Sequence, residues 1–314
     1  GGGGSGVQRG QGSRPDGGSG VWLNKNSNAG GAGAIDRYGH GTAVAGSIGG
    51  NGTASRGEFI GVAPQVNLIN LRVNDGSGAA PTSTIMNAIL WAVINRDTYN
   101  IRVMNLSLSA SVQESYVTSP IDAAVEYAWL KGIVVVVAAG NNGPNSALYA
   151  PANDPFVITV GATDDGGTAT VADDTLASFS SFGKTQNGYS KPELVAPGRH
   201  IITTLAPNSN FAVNYPTHLV GTGYIQLSGT SMAAPMVSGV VALYLERHPT
   251  VRPGQLKSLL LPTARPIAVA GTRPRPPTPP PPIHPLRRRG TPAPRRPPPT
   301  PPQPCHPHPH PPPP

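Results

Sequence analysis

Residues 229–239 read Gly-Thr-Ser-Met-Ala-Ala-Pro-Met-Val-Ser-Gly and continue directly into the apolar run Val-Val-Ala-Leu-Tyr-Leu. That run has no polar face, which predicts a helix buried inside a large core, and small residues surround Ser231 at its start. A helix N-terminus presents unpaired backbone N–H groups, so it would stabilise an oxyanion forming beside Ser231. Pro235 fits only near the first turn, where its missing N–H costs little. The pattern favours a reactive serine, with a Gly/Ser-rich loop that caps a core helix as the alternative.

Composition limits the classes of protein to which the chain can belong. Its 314 residues suffice for one large α/β domain, and a single cysteine, Cys305, excludes an intrachain disulfide. The net charge is +8, but seven arginines and no acids lie between Arg273 and Arg296, so the positive charge belongs to the C-terminal tail. No apolar run reaches the roughly 18 residues of a membrane span. We therefore expect neither a nucleic-acid partner nor a membrane partner.

Apolar periodicity predicts alternating strands and helices from residue 61 onwards. Residues 133–139 are apolar on both faces, which indicates a central parallel strand covered by helices on each side. The alternation predicts an α/β fold. The other predicted strands are residues 66–73, 101–108 and 156–161, and the predicted helices are residues 82–95, 121–130, 231–247 and 253–261.

The two ends of the chain differ in composition from the middle. Residues 1–20 are half glycine and predict a disordered lead-in, so the globular domain is expected over residues 21–267. Residues 268–314 contain 22 of the 38 prolines and predict a disordered or polyproline-II tail. That tail has two further interpretations: a ligand for proline-recognising domains, which would make the chain an interaction protein, or an out-of-frame reading of a G/C-rich gene.

A second motif lies at residues 36–46, which read Asp-Arg-Tyr-Gly-His-Gly-Thr-Ala-Val-Ala-Gly. His40 would begin a short buried helix there, and a lone histidine in such a place is often structural. However, this motif and the serine stretch, in this order, resemble the subtilisin-like serine proteases, the subtilases. The resemblance implies a three-layer, subtilisin-like α/β fold, a parallel sheet flanked by helices. It also implies peptide-bond hydrolysis with Ser231 as nucleophile and His40 as general base.

Asn141 follows the predicted central strand, in the sequence Ala-Ala-Gly-Asn-Asn-Gly of residues 138–143. A turn at the carboxyl end of such a strand is where α/β sheets place their sites. Taken alone, Asn141 is equally well an ordinary turn asparagine. The segment resembles the one whose asparagine amide donates to the oxyanion in subtilases, and the resemblance therefore implies that role for Asn141.

The resemblance extends to the residues that bind substrate. In the family, an Asn-x-Ser-Leu strand pairs with an extended substrate and, together with the Ala-Ala-Gly segment, walls the pocket for the residue before the scissile bond. The corresponding residues of this chain are Asn105, Leu106, Ser107, Leu108, Ala138, Ala139 and Gly140. Ser109 and Ala110 stand where the family usually has glycines, so the side-chain preference of that pocket stays open.

The third member of the catalytic triad is the main departure from the family. Subtilases carry it upstream of the histidine, in a short apolar strand that ends in aspartate. Here Gly18 stands at the expected position, just before Ser19-Gly20-Val21, and Asp16 lies two residues away with no apolar strand before it. Asp36 lies just ahead of the histidine motif, where the family usually has an acidic residue that is not the triad acid. The triad acid is therefore unassigned.

The remaining expectations follow from the resemblance. They are protein or peptide substrates outside the cell, a monomeric chain, and no cofactor or metal in catalysis. Structural calcium is common in the family and is allowed rather than predicted here. Because the triad acid is unassigned, an impaired, subtilase-like pseudoenzyme that binds peptides is the alternative to an active serine endopeptidase.

Overall fold

The computed structural model describes residues 36–74 and 76–267, together with the backbone of two strands at residues 8–9 and 19–24. The chain divides into the units Gly1–Pro280 and Pro281–Pro314, and every described residue belongs to the first. The tail of residues 268–314 lies outside the described residues, so its interpretations stay predictions. Strands at residues 8–9 and 19–20 differ from the predicted disorder of residues 1–20. They are defined by pairing with a neighbouring strand, which apolar periodicity does not reveal.

Strands and helices alternate as predicted over residues 67–138, whereas seven strands follow one another between residues 134 and 204. The strands are β1 Gln8–Arg9, β2 Ser19–Asn24, β3 Asn67–Arg72, β4 Ile101–Leu106, β5 Val134–Ala138, β6 Ile158–Asp164, β7 Thr175–Leu176, β8 Gly183–Lys184, β9 Ser190–Lys191, β10 Leu194–Pro197, β11 Ile201–Thr204, β12 Leu219–Val220 and β13 Tyr224–Leu227. The α-helices are α1 His40–Gly49, α2 Thr82–Ile94, α3 Arg96–Tyr99, α4 Pro120–Leu130, α5 Asn210–Asn214, α6 Thr230–Arg247 and α7 Pro253–Thr263. Short 3₁₀ helices cover Thr53–Ser55 and Pro216–His218.

The main sheet has eight strands, of which seven follow the order β1-β3-β2-β4-β5-β6-β10, while β7 pairs with β6. From β3 to β10 all neighbours are parallel, and only β1 and β7 run antiparallel to their partners. The predicted α/β fold with a mostly parallel sheet is confirmed. Two small antiparallel sheets, β11-β13-β12 and β8-β9, were not predicted, since all five of their strands have only two to four residues.

Strand β5 lies in the middle of the core, and all five of its residues are buried. Helix α6 packs against β4, β5, β6 and β10, whereas α2 packs against α4 and these two contact β2 and β5. The sheet therefore has helices on both faces, which explains why the sequence of β5 is apolar throughout.

Helices α1 and α6 pack against each other through a small cluster of their own, formed by Ala43, Val44 and Ile48 of α1 and Met232 of α6. Helix α1 also lies against β11, because a Cβ placed on Gly46 would come within 2.1 Å of Thr204 Oγ1. Only glycine permits this approach. The packing brings together the two segments that sequence analysis had singled out around His40 and Ser231.

A group of carboxyl side chains is buried around α4. Asp122 and Asp154 are both 0% exposed, and Glu126 is half-buried near them. Burial, and then the charge of Asp154, raise the pKa of Asp122 to about 8, with smaller contributions from Glu114 and Glu126 and an opposing hydrogen bond from Ser119. Burial and the neighbouring Asp154 raise the pKa of Glu126 to about 7. Burial therefore favours the protonated form of Asp122.

The raised pKa of Asp122 predicts that the free energy of unfolding depends on pH. Because the folded-state pKa of Asp122 lies above its unfolded value, the stability present below pH 4 is progressively lost as the pH rises towards about 8. The variant Asp122→Asn keeps a neutral side chain at every pH. We expect it to match the wild type in urea unfolding at pH 4 and to exceed it by about 2–5 kcal/mol at pH 8. The exposed Glu58→Gln is the matched control, and a difference between Asp122→Asn and wild type that does not change with pH would contradict the prediction.

Candidate active site

Ser231 is the second residue of α6 and is half-buried, between the buried side chains of Thr230 and Met232. The helix begins one residue earlier than predicted, and the N–H of Met232 donates to the carbonyl of Gly229 at 2.9 Å. Ser231 thus lies in the first turn, where backbone N–H groups have no partner within the helix. This position is suited to an anion that forms next to the serine hydroxyl.

Asn141 is hydrogen-bonded to the residue that precedes Ser231. Its Oδ1 accepts from the backbone N of Thr230 at 2.9 Å and from Thr230 Oγ1 at 3.0 Å. Thr230 Oγ1 in turn accepts from the N–H of Gly140 at 3.1 Å. With Oδ1 engaged by Thr230, Nδ2 is the donor that remains, and it lies beside Gly229. Thr230 was missed by the sequence analysis, although it stands within the serine motif.

His40 begins α1, as predicted, and it is positioned by a carboxylate that the sequence analysis had given no role. Asp36 Oδ1 accepts from the N–H of Gly39 at 2.5 Å, and Oδ2 accepts from the N–H and the hydroxyl of Thr42, both at 2.8 Å. Burial raises the pKa of Asp36, although these hydrogen bonds oppose the shift. Asp36 therefore caps the first turn of α1 and holds the backbone on both sides of His40.

Two aromatic side chains lie close to the imidazole. The ring of Phe211, on α5, is 6.2 Å from the His40 ring in an edge-on arrangement, and the ring of Tyr38 is 6.5 Å away. Phe211 and Tyr38 also contact each other at 5.1 Å. Sequence analysis missed Phe211, because a five-residue helix is too short to show a period.

The predicted catalytic residues come from three elements that the fold brings together. Asn141 follows β5 and bonds directly to the start of α6, which carries Ser231. His40 heads α1, which packs against α6 through the cluster that includes Met232. The arrangement offers a hydroxyl at a helix N-terminus, an amide donor beside it and an imidazole on the adjoining helix.

The predicted substrate-binding residues divide into two groups. Asn105 and Leu106 lie inside β4 and are paired on both sides, with β2 and with β5. These two residues therefore have no free strand edge to offer a substrate. Ser107 and Leu108 follow the end of β4, next to residues 138–140 at the end of β5. For them the predicted role stays a prediction.

The stretch in which the triad acid is expected contains one described strand, β2. Strand β2 lies between β3 and β4, parallel to both, with Asn24 paired to Arg72 and Leu23 to Leu106. Its carboxyl end is Asn24. Gly18 and Asp16 lie outside the described residues. The triad acid therefore stays unassigned.

Within residues 36–74 and 76–267, no group of three or more His, Cys, Asp or Glu side chains is arranged to hold a metal ion. No helix in this part of the chain is both long and apolar enough to cross a bilayer.

Comparisons with known proteins agree with this geometry. The chain is 42% identical over 231 residues to serine protease AprX of Bacillus subtilis, covering 72% of this chain and 52% of that protein. It is 38% identical over 239 residues to an extracellular serine proteinase of a Thermus species, covering 76% of this chain and 49% of that protein. The chain thus spans about half the length of these curated relatives.

Solved structures show the same fold. A cold-adapted, subtilisin-like serine proteinase superposes with a TM-score of 0.61 at 30% identity, covering 81% of this chain and 84% of that chain. The structure of sphericase superposes with a TM-score of 0.62 at 26% identity, covering 79% and 84%. The model of the subtilase family, Peptidase_S8, matches residues 18–291. With its serine helix, histidine helix and parallel sheet in the family's order, this chain belongs to the subtilase family.

Proposed function

We propose that the chain is a serine endopeptidase that hydrolyses peptide bonds in proteins through an acyl-enzyme on Ser231. The observation that carries the proposal is the hydrogen-bonded clamp between Asn141 and Thr230, because it aims an amide donor at the start of the serine helix. An ordinary turn asparagine would have no reason to bond to the residue before a candidate nucleophile.

In the proposed mechanism, Ser231 Oγ attacks the carbonyl carbon of the scissile peptide bond while His40 accepts its proton. The negative charge develops on the carbonyl oxygen, where Asn141 Nδ2 and the first backbone N–H groups of α6 stabilise it. His40 then gives the proton to the leaving amine, and the C–N bond breaks to leave the acyl-enzyme. Water, deprotonated by His40, attacks the ester carbonyl. The ester C–O bond then breaks to release the acid, and His40 returns the proton to Ser231 Oγ.

The proposal also covers the cofactors, the localisation and the oligomeric state of the chain. Catalysis by these groups uses no cofactor, and structural calcium is allowed rather than predicted, because backbone carbonyls can bind it as well as carboxylates. One curated relative is named an extracellular serine proteinase, which supports secretion and protein or peptide substrates for this chain. The proposed enzyme is a monomer. The end of β4 and residues 138–140 would form the walls of the pocket for the residue before the scissile bond.

The end of β2 favours a second candidate, an impaired enzyme that binds peptides. An asparagine at the position of the triad acid leaves the geometry intact but favours the wrong imidazole tautomer, at a cost of about 10⁴-fold in kcat when measured in a serine protease of another fold. Asn24 at the carboxyl end of β2 supports this alternative. The two candidates differ in rate and not in the residues that form the site.

The proposal is tested with Asn141→Ala and its exposed neighbour Asn142→Ala as matched control. A fluorophosphonate probe should label Ser231 of the wild type, with the adduct located by mass spectrometry. The loss of one oxyanion donor costs about 10²–10³-fold in a subtilisin, so Asn141→Ala should label slower by that factor. Asn142→Ala should label at the wild-type rate. Equal rates for both variants, or an adduct elsewhere, would overturn the assignment.

A further inference from the structure

The carbonyl of Ser231 lacks its regular helical partner. In an α-helix this carbonyl accepts from the N–H four residues later, which here belongs to position 235. Pro235 has no N–H, and it lies within α6. The hydroxyl of Ser107 takes the place of that donor, with Oγ 3.0 Å from the Ser231 carbonyl oxygen.

A line of buried hydrogen bonds fixes the direction in which the Ser107 hydroxyl donates. Asn105 Nδ2 donates to Ser107 Oγ at 3.0 Å, and Ser238 Oγ donates to Asn105 Oδ1 at 2.8 Å. Because the Ser107 oxygen already accepts from Asn105, its hydrogen is directed to Ser231. Asn105, Ser107 and Ser238 are at most 3% exposed, so water does not compete for these bonds.

The strand that carries this line is held on both sides. Asn105 lies in β4, which is paired with β2 and β5, and β5 leads to Gly140 and Asn141. The first turn of α6 is therefore tied to the sheet at two points, through Ser107 to the Ser231 carbonyl and through Asn141 to Thr230. Both ties act on the first turn of α6, which carries the Ser231 hydroxyl.

We propose that Ser107 is a positioning residue for the nucleophile, whose hydroxyl replaces the helix hydrogen bond that Pro235 removes and thereby holds Ser231 in place. This inference rests on the proposed function and adds to it a role that differs from contact with substrate. Without the Ser107 donor the first turn of α6 loses one of its two ties to the sheet. A misplacement of about 1 Å at a reacting atom costs on the order of 10²-fold in rate.

The first test separates positioning from substrate contact. In Ser107→Ala, kcat for a peptide ester and the fluorophosphonate labelling rate should fall about 10–100-fold, while KM changes less than about twofold. Ser107→Thr keeps the hydroxyl and should recover most of the loss. Ser119→Ala, which removes the buried N-cap hydroxyl of α4, is the matched control and should leave kcat unchanged. A rise in KM at unchanged kcat would overturn the inference.

The second test uses Pro235→Ala, which restores an N–H four residues after Ser231. In that background, Ser107→Ala should lower kcat by less than about threefold, since the helix now supplies the donor itself. An equal loss in the two backgrounds would show that Ser107 does not act through the Ser231 carbonyl, and the inference would be wrong.

The wild type, Ser107→Ala, Pro235→Ala and the variant with both changes are also compared by melting temperature, a measurement that needs no activity. Ser107→Ala should lower the melting temperature more in the wild-type background than in Pro235→Ala. A wild-type chain that neither cleaves nor labels would overturn the proposed function, whereas equal losses in melting temperature would overturn this inference alone.

Discussion

Replacement of Ser231 by alanine is expected to abolish fluorophosphonate labelling and casein cleavage while the chain stays folded. The hydroxyl oxygen is the atom that forms the acyl bond, and no other group of the site can replace it. In a subtilisin, loss of the nucleophile costs about 10⁶-fold in kcat, which sets the size expected here. Ser231 is half-buried, and a change from hydroxyl to hydrogen opens no sizeable cavity, so the melting temperature should stay near that of the wild type.

Ser228→Ala provides a matched control for this experiment. Ser228 lies three residues upstream, is exposed, and accepts a hydrogen bond from the N–H of His200 at 3.0 Å. Its loss should leave labelling at the wild-type rate, because its contact lies outside α6. Cleavage that persists in Ser231→Ala at the wild-type rate would contradict the nucleophile assignment, whatever the result for Ser228→Ala.

Asn24→Asp is expected to raise kcat by about 10³–10⁴-fold with little change in KM. Loss of the triad aspartate costs about 3 × 10⁴-fold in kcat in a subtilisin, and the reverse change should recover much of this factor. Asn24 ends β2, on the sheet edge where β4 and β5 lead into Ser107 and Gly140. A carboxylate there would hold the His40 imidazole in one tautomer and stabilise its charged form.

The assay for this prediction measures kcat and KM on a peptide ester for three chains. Besides Asn24→Asp, these are Asn24→Ala and Asp16→Asn, both of which should differ little from the wild type. A 10³-fold loss in Asp16→Asn, with the protein still folded, would identify Asp16 as the triad acid. An unchanged kcat in Asn24→Asp would show that the end of β2 does not reach His40.

Much of the fold was predictable because the core elements are long and strongly patterned. The predicted strand at residues 133–139 and the helix at residues 82–95 appear as β5 and α2, within two residues at each end. The apolar run after Ser231 could form only a buried helix, and α6 spans Thr230–Arg247. In such segments the pattern of side chains alone selects the element.

The short elements were not predictable, because a strand of two to four residues is defined by its partner and not by its own sequence. Strands β8 and β9 show this clearly, since each has two residues and is defined only by its pairing with the other. The placement of the family's aspartate at Gly18 lies outside the described residues and stays a prediction. The aromatic neighbour Phe211 reaches His40 from more than 170 residues along the chain, and no local pattern signals that contact.

The identity of the chemical groups was therefore a property of the sequence, and their arrangement was a property of the tertiary structure. Motifs around His40, Asn141 and Ser231 named a base, a donor and a nucleophile, because each motif carries its own local turn or helix start. Hydrogen bonds between distant segments decided how these groups are held, through Asp36 at His40 and Thr230 at Asn141. Such bonds form between buried polar atoms that tertiary packing places next to each other. No single stretch of the chain determines which atoms these are.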